Sequence, residues 1–87
     1  MNWTLIYTSQ ARRDARKLVR AGLKPQAERL LKILAEDPCQ SPPPYEKLIG
    51  HLAGACSRRI NIQLRLVHQI LEEIKTVKII RMWTHYE

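Results

Sequence analysis

Glu46, Arg59, Arg65 and His85 are among the side chains of this 87-residue sequence that could move a proton or hold an anion. A carboxylate and an imidazole can take up and give back a proton, and guanidinium groups stabilise negative charge building up on a reacting oxygen. Glu46 follows Pro42, Pro43, Pro44 and Tyr45; Arg59 lies in "SRRI", Arg65 in "QLRLVHQ", and His85 precedes Tyr86 in the terminal "MWTHYE". Taken singly, each also fits a bland role: a strand-end carboxylate, solvent-facing arginines, an exposed terminal histidine, an aromatic at the core or an edge. A metal set can be assembled from Cys39, His51, Cys56 and His68, but it shows no close CxxC or HxxxH spacing. The reading is therefore no metal and no cofactor, both cysteines reduced and packed, and His51 and His68 structural.

Groups so far apart in sequence need a sheet to bring them together. "NWTLIYT" (2–8) reads as a first strand. The period then changes: in "SQARRDARKLVRAG", Ala11, Ala15, Leu18 and Val19 fall on one helical face and Gly22 is a stop signal. A second helix opens near Pro25, with Ala27, Leu30, Leu31 and Leu34 as its apolar face, and ends before Pro38. The two helices, joined at "AGLKP", are expected to form an antiparallel hairpin. Pro42, Pro43 and Pro44 stiffen an extended connector that delivers Tyr45 and Glu46. From there the period is two, with strands expected over 45–50, 55–62, 63–71 and 76–86, a turn around Gly50 to Gly54, and "EEIK" as a hairpin connection. The expected fold class is α+β, a single domain over 1–87 with the helical pair packed on one face of a small antiparallel sheet. Strict alternation puts Arg59 on the opposite face from Arg58 and brings Arg59 and Arg65 together on the open face. In the last strand it groups Arg81, Trp83 and His85 against Ile80, Met82, Thr84 and Tyr86.

The formal net charge is +7, and residues 1–35 hold eight basic against two acidic residues, so six of the seven excess charges precede residue 36. Arg12, Arg13, Arg16, Lys17 and Arg20 on the first helix dominate that field. It suits a polyanion, either RNA or an acidic protein partner, or it is a solvated face that keeps the chain soluble. No apolar run is long enough to cross a bilayer, and "MNWTLIYTSQ" lacks the pattern of a signal peptide. The expected compartment is the cytoplasm, with no membrane association.

"PPPYEKL", "SRRI", "RLV" and the terminal "HY", in this order and at these separations, resemble the YoeB/Txe group of RelE-like toxins over nearly the whole chain. The resemblance implies the RelE-like microbial ribonuclease fold, with a mixed sheet, and the activity of a ribosome-dependent mRNA endonuclease that cuts in the A site of the small ribosomal subunit. It puts Glu46 in the general-base position, His85 in the general-acid position, and Arg65 at the scissile phosphate. Arg59 becomes a supporting cation, with Arg58 and Lys47 beside it, and Tyr86 the aromatic that orients substrate. Metal-free cleavage of RNA needs this inventory: a base for the 2′-hydroxyl, an acid for the departing 5′-oxygen, and cations for the phosphorane between them. The resemblance also implies a YefM/Phd-like acidic antitoxin, binding of operator DNA only as the antitoxin complex, and a homodimer as one available assembly. Basic α-helical residues Arg12 to Arg20 are then the expected ribosome contacts. The chain departs from the group's pattern at Gln63, Leu64 and His68 around the "RLV" arginine, at Ile49 where some relatives carry lysine, and at Glu87. Lys47, two residues before Ile49 and so on its face of a strand, is the expected substitute. Two other classes compete: a non-catalytic basic module that binds RNA or the ribosome, and a silent toxin homologue that acts through its antitoxin in operon repression.

Overall fold

The computed structural model describes residues 3–42, 44–50 and 54–85, with His85 described by its backbone. The elements run β1 (Thr4–Tyr7), α1 (Ser9–Arg20), α2 (Lys24–Glu36), β2 (Glu46–Lys47), β3 (Ala55–Arg59), β4 (Leu64–Leu71) and β5 (Thr76–His85). They build an α+β fold around a five-stranded sheet in the order β1-β5-β4-β3-β2. β1 runs parallel to β5 and the other neighbours are antiparallel, so the sheet is mixed.

Local chemistry explains the helix ends. Thr8 caps α1, its Oγ1 accepting from the Ala11 amide at 3.0 Å and filling a donor that a helix leaves open. At the other end Gly22 takes φ 75, a conformation that glycine adopts without a Cβ penalty. The Gly22 amide donates to the Val19 carbonyl and the Leu23 amide to the Leu18 carbonyl, which closes α1 and turns the chain into α2. Pro25 sits in the first turn of α2, and the helix ends before Pro38.

Ala11 and Leu18 from α1 and Ala27, Leu30 and Leu34 from α2 pack on Ile60, Leu64, Leu66, Val77, Ile79 and Met82 of the sheet. Val19, expected with them, is 56% exposed. Leu64 and Leu66 face the helices, so Arg65 between them faces away.

Strict alternation fails in β5. Ile79 pairs with His68, Arg81 with Val67, and Thr84 with Arg65. The step from Val67 to Arg65 passes one residue, Leu66, while the facing step from Arg81 to Thr84 passes two, Met82 and Trp83. This is a β-bulge, and a second shift lies between Val67 and His68. Ile79 and Met82, of opposite parity, therefore both reach the core, and Trp83 packs against it too. The expected grouping of Trp83 against Met82 is corrected by that extra residue.

Candidate active site

The site is assembled by register. Glu46 pairs with Ser57, Ser57 with Val67, and Arg59 with Arg65. Paired residues share a face, so Glu46, Ser57, Arg59 and Arg65 all lie on the side of the sheet away from the helices. Arg65 Nη2 stands 3.3 Å from Glu46 Oε1, with side chains 16% and 61% exposed respectively. Arg65 Nη1 donates to Ser57 Oγ at 3.4 Å. Two like charges directly opposite on neighbouring strands repel, and a nearby anion, here the Glu46 carboxylate, relieves this. An arrangement of two cations and one exposed carboxylate can hold a phosphate and offer it a base. Ser57, the register partner of Glu46 and the side-chain acceptor of Arg65 Nη1, was missed from sequence; its position two residues before Arg59 on the same strand was the available signal.

Arg58 and Lys47 belong elsewhere, correcting their expected place at the phosphate. Arg58 is 1% exposed and faces the same side as Leu66, its partner in the register. Its Nη2 donates to the carbonyls of Pro38 at 3.1 Å and Gln40 at 2.7 Å, and its guanidinium lies 4.8 Å from the centroid of the Tyr45 ring. It clamps the connector that leads into Glu46. Burial lowers its pKa from the ordinary value, a cost offset by these contacts. Lys47 pairs with Cys56 and so points to the face opposite Glu46, where it lines a cleft with Cys39, Tyr45, Cys56 and Ile70. Alternation explains this: Lys47 directly follows Glu46 on β2, and successive residues point to opposite faces.

The backbone of His85 pairs with that of Leu64, one step beyond the Arg65–Thr84 pair. The last strand thus brings His85 to the end of β4 that carries Arg65. Tyr86, Glu87 and His51 lie outside the described residues. Arg12, Arg13, Arg16, Lys17 and Arg20 are all exposed on α1, with the sheet between them and the Glu46–Arg65 face. The basic helix and the site are therefore two surfaces, not one.

His68 is fully buried, consistent with the structural reading. Burial first, and then the charge of Arg58, pull its pKa down from 6.5 to about 4. Both cysteines are free thiols; Cys56 is buried, where burial pushes its pKa up, but Cys39 is exposed rather than packed. Among the described residues no group of three or more His, Cys, Asp or Glu side chains could hold a metal.

The chain matches no family model and no curated protein. Solved structures do match. One chain of the toxin–antitoxin complex RelBE2 from Mycobacterium tuberculosis is 31% identical, with TM-score 0.75, over 99% of this chain and 100% of that one. This chain belongs to the YoeB/RelE-like toxin family. A YoeB/ParE toxin from Agrobacterium tumefaciens superposes with TM-score 0.84 at 25% identity, covering 95% of this chain and 99% of that chain. The heterotetrameric YoeB–YefM toxin–antitoxin complex from Staphylococcus aureus contributes a chain at TM-score 0.80 and 26% identity, over 99% and 100% of the two chains. The helical pair and mixed sheet described above are the fold of these YoeB/RelE-like toxins.

Proposed function

We propose that this YoeB/RelE-like toxin is a metal-independent endoribonuclease that cuts mRNA in the ribosomal A site and so stops translation in the cytoplasm. The observation that carries this reading is the Glu46–Arg65 pair at 3.3 Å, with Arg59 opposite Arg65 on the open face of the sheet. Glu46 takes the proton of the 2′-hydroxyl, and the 2′-oxygen attacks the adjacent phosphorus. Arg65, supported by Arg59, neutralises the phosphorane. His85 gives a proton to the departing 5′-oxygen, and Tyr86 orients the nucleotide. The products are a 2′,3′-cyclic phosphate and a 5′-hydroxyl. In the free protein Arg65 holds Glu46. The Glu46 side of this pair is open to solvent, which screens the attraction to about 1 kcal/mol, so an arriving phosphate can take over Arg65 and release the carboxylate to act as base.

The partner under this reading is an acidic YefM-like antitoxin, as in the YoeB–YefM complex of Staphylococcus aureus, with operator DNA bound only by that complex. A YoeB dimer from the same organism superposes on the chain with TM-score 0.80, which supports a homodimer. The basic face of α1 supplies the ribosome contacts. A second reading, RNA binding without cleavage, is favoured by one observation: six of the seven excess positive charges precede residue 36, remote from the site.

Expression of the chain alone in bacteria separates the readings. Growth arrest with new 5′ ends inside mRNA coding regions is the expected result; arrest without cleavage supports binding alone, and growth without arrest leaves a silent homologue.

A further inference from the structure

Helix α1 touches β5 at both places where its pairing is irregular. Thr8 donates from its amide to the Ile79 carbonyl at 3.1 Å and from Oγ1 to the Ile80 carbonyl at 2.8 Å. Two turns on, Asp14 is fully buried. Its Oδ2 accepts from Arg81 Nε at 2.8 Å and from the Met82 amide at 2.9 Å, and its Oδ1 accepts from Gln10 Nε2 at 3.0 Å. Arg81 in turn donates from Nη2 to the Trp83 carbonyl at 3.2 Å. Burial works to raise the Asp14 carboxyl, but these donors hold its pKa below the ordinary value, so it sits in the protein as a carboxylate.

A buried charge is a poor way to glue a helix to a sheet, since an apolar residue of similar size does that without the desolvation cost. The partner it has chosen is informative. Met82 is one of the two β5 residues facing Leu66 alone, and a bulge takes its extra residue's backbone groups out of the ladder. A buried amide left without a partner is costly, and the Asp14 carboxylate supplies the missing acceptor. Without the bulge, continuing the Val67–Arg81 register would place Trp83 opposite Arg65 and Thr84 opposite Leu64, and His85 would move one position past Leu64. A one-residue slip also reverses which face each side chain meets.

We propose that Asp14 is a positioning residue for the active site: by accepting from the Met82 amide it fixes the Met82–Trp83 bulge, and thereby the register that sets Thr84 against Arg65 and His85 at the end of β4. Its consequence for rate rests on the cleavage reading above; its consequence for register does not.

The test uses the isotopically labelled full chain and its Asp14→Ala and Asp14→Asn variants, with cross-strand nuclear Overhauser contacts to Arg65 as the register readout. The parent shows Arg65–Thr84 contacts. Asp14→Ala is expected to show Arg65–Trp83 contacts and, at saturating ribosomes, a cleavage rate lower by about a hundredfold with unchanged ribosome affinity, the scale of a small misplacement of reacting groups. Asp14→Asn keeps an acceptor oxygen, so it should retain the Arg65–Thr84 contacts, slow exchange of the Met82 amide, and most of the rate, even at a lower melting temperature. Asp14→Ala that keeps Arg65–Thr84 contacts overturns the proposal. If that variant does not fold, Asp14→Asn decides: Arg65–Trp83 contacts, or a rapidly exchanging Met82 amide, overturn it. A parent chain that never cleaves ribosome-bound mRNA removes the cleavage reading and leaves the register contacts to judge this one.

Discussion

Arg65 reaches across β3 to Glu46, Nη2 to Oε1 at 3.3 Å, while its backbone stands opposite Arg59. Neither strand neighbour in sequence has this environment. Leu64 and Leu66 are buried against the helices, and Arg58, beside Arg59, is locked under the connector. One pleat of the sheet therefore separates core from site, and changes on its two sides should have different consequences.

Arg58→Ala should cost about 3 kcal/mol of stability, because it removes a buried charged donor and leaves the Pro38 and Gln40 carbonyls to find other partners. Arg58→Lys should recover little of that, since an ammonium lacks the planar fork and the flat face that lies over Tyr45. Urea unfolding of the three chains measures this; a loss near zero would mean the clamp is incidental.

Stability should fall between about pH 6.5 and pH 4 through His68. Its native pKa is depressed from 6.5 to about 4, so over that window the unfolded chain binds a proton that the folded chain refuses. The contribution is complete above pH 6.5, is lost as pH falls, and levels off below about pH 4; the shift corresponds to roughly 3 kcal/mol. Asp14, whose carboxyl is lowered, adds a further loss at still lower pH. Unfolding free energies of the parent and His68→Leu, measured at pH 7.5, 5.5 and 4.5, should diverge in slope. Parallel curves would assign the pH dependence to other groups.

The placement of Arg59 and Arg65 on one face was legible in the sequence, because β3 and the start of β4 alternate regularly and "LRL" announces which way Arg65 points. The end of β5 was not. A bulge adds a residue without changing residue types, so the period-two pattern runs through Met82 and Trp83 with nothing to mark the break. Its cause lies 68 positions away in the chain, in an aspartate that reads as one more polar residue on a basic helix. Lys47 was misplaced for a different reason: the resemblance put it beside the phosphate, whereas as the neighbour of Glu46 on β2 it alternates to the other face, paired with Cys56.

Charge reversal at Arg12, Arg13, Arg16 and Lys17 should weaken association with ribosomes and flatten its salt dependence. All four are exposed on α1, so the fold and the Glu46–Arg65 face should survive. Sedimentation with ribosomes across a salt series tests it. Equal binding by parent and variant at low salt would make this face a solvated one.

The cleavage reaction proposed for Glu46, Arg65 and His85 is 2′-hydroxyl attack on RNA. Its most direct test is single-turnover cleavage of mRNA on programmed ribosomes, with the new ends identified chemically, for the parent and for Glu46→Ala, Arg65→Ala and His85→Ala. The predicted result is a 2′,3′-cyclic phosphate from the parent and a rate lower by about a hundredfold or more in each variant, the scale of losing a general acid, a general base or a charge stabiliser. Parent-like rates in all three variants, or a product ending in a 3′-hydroxyl, would contradict it.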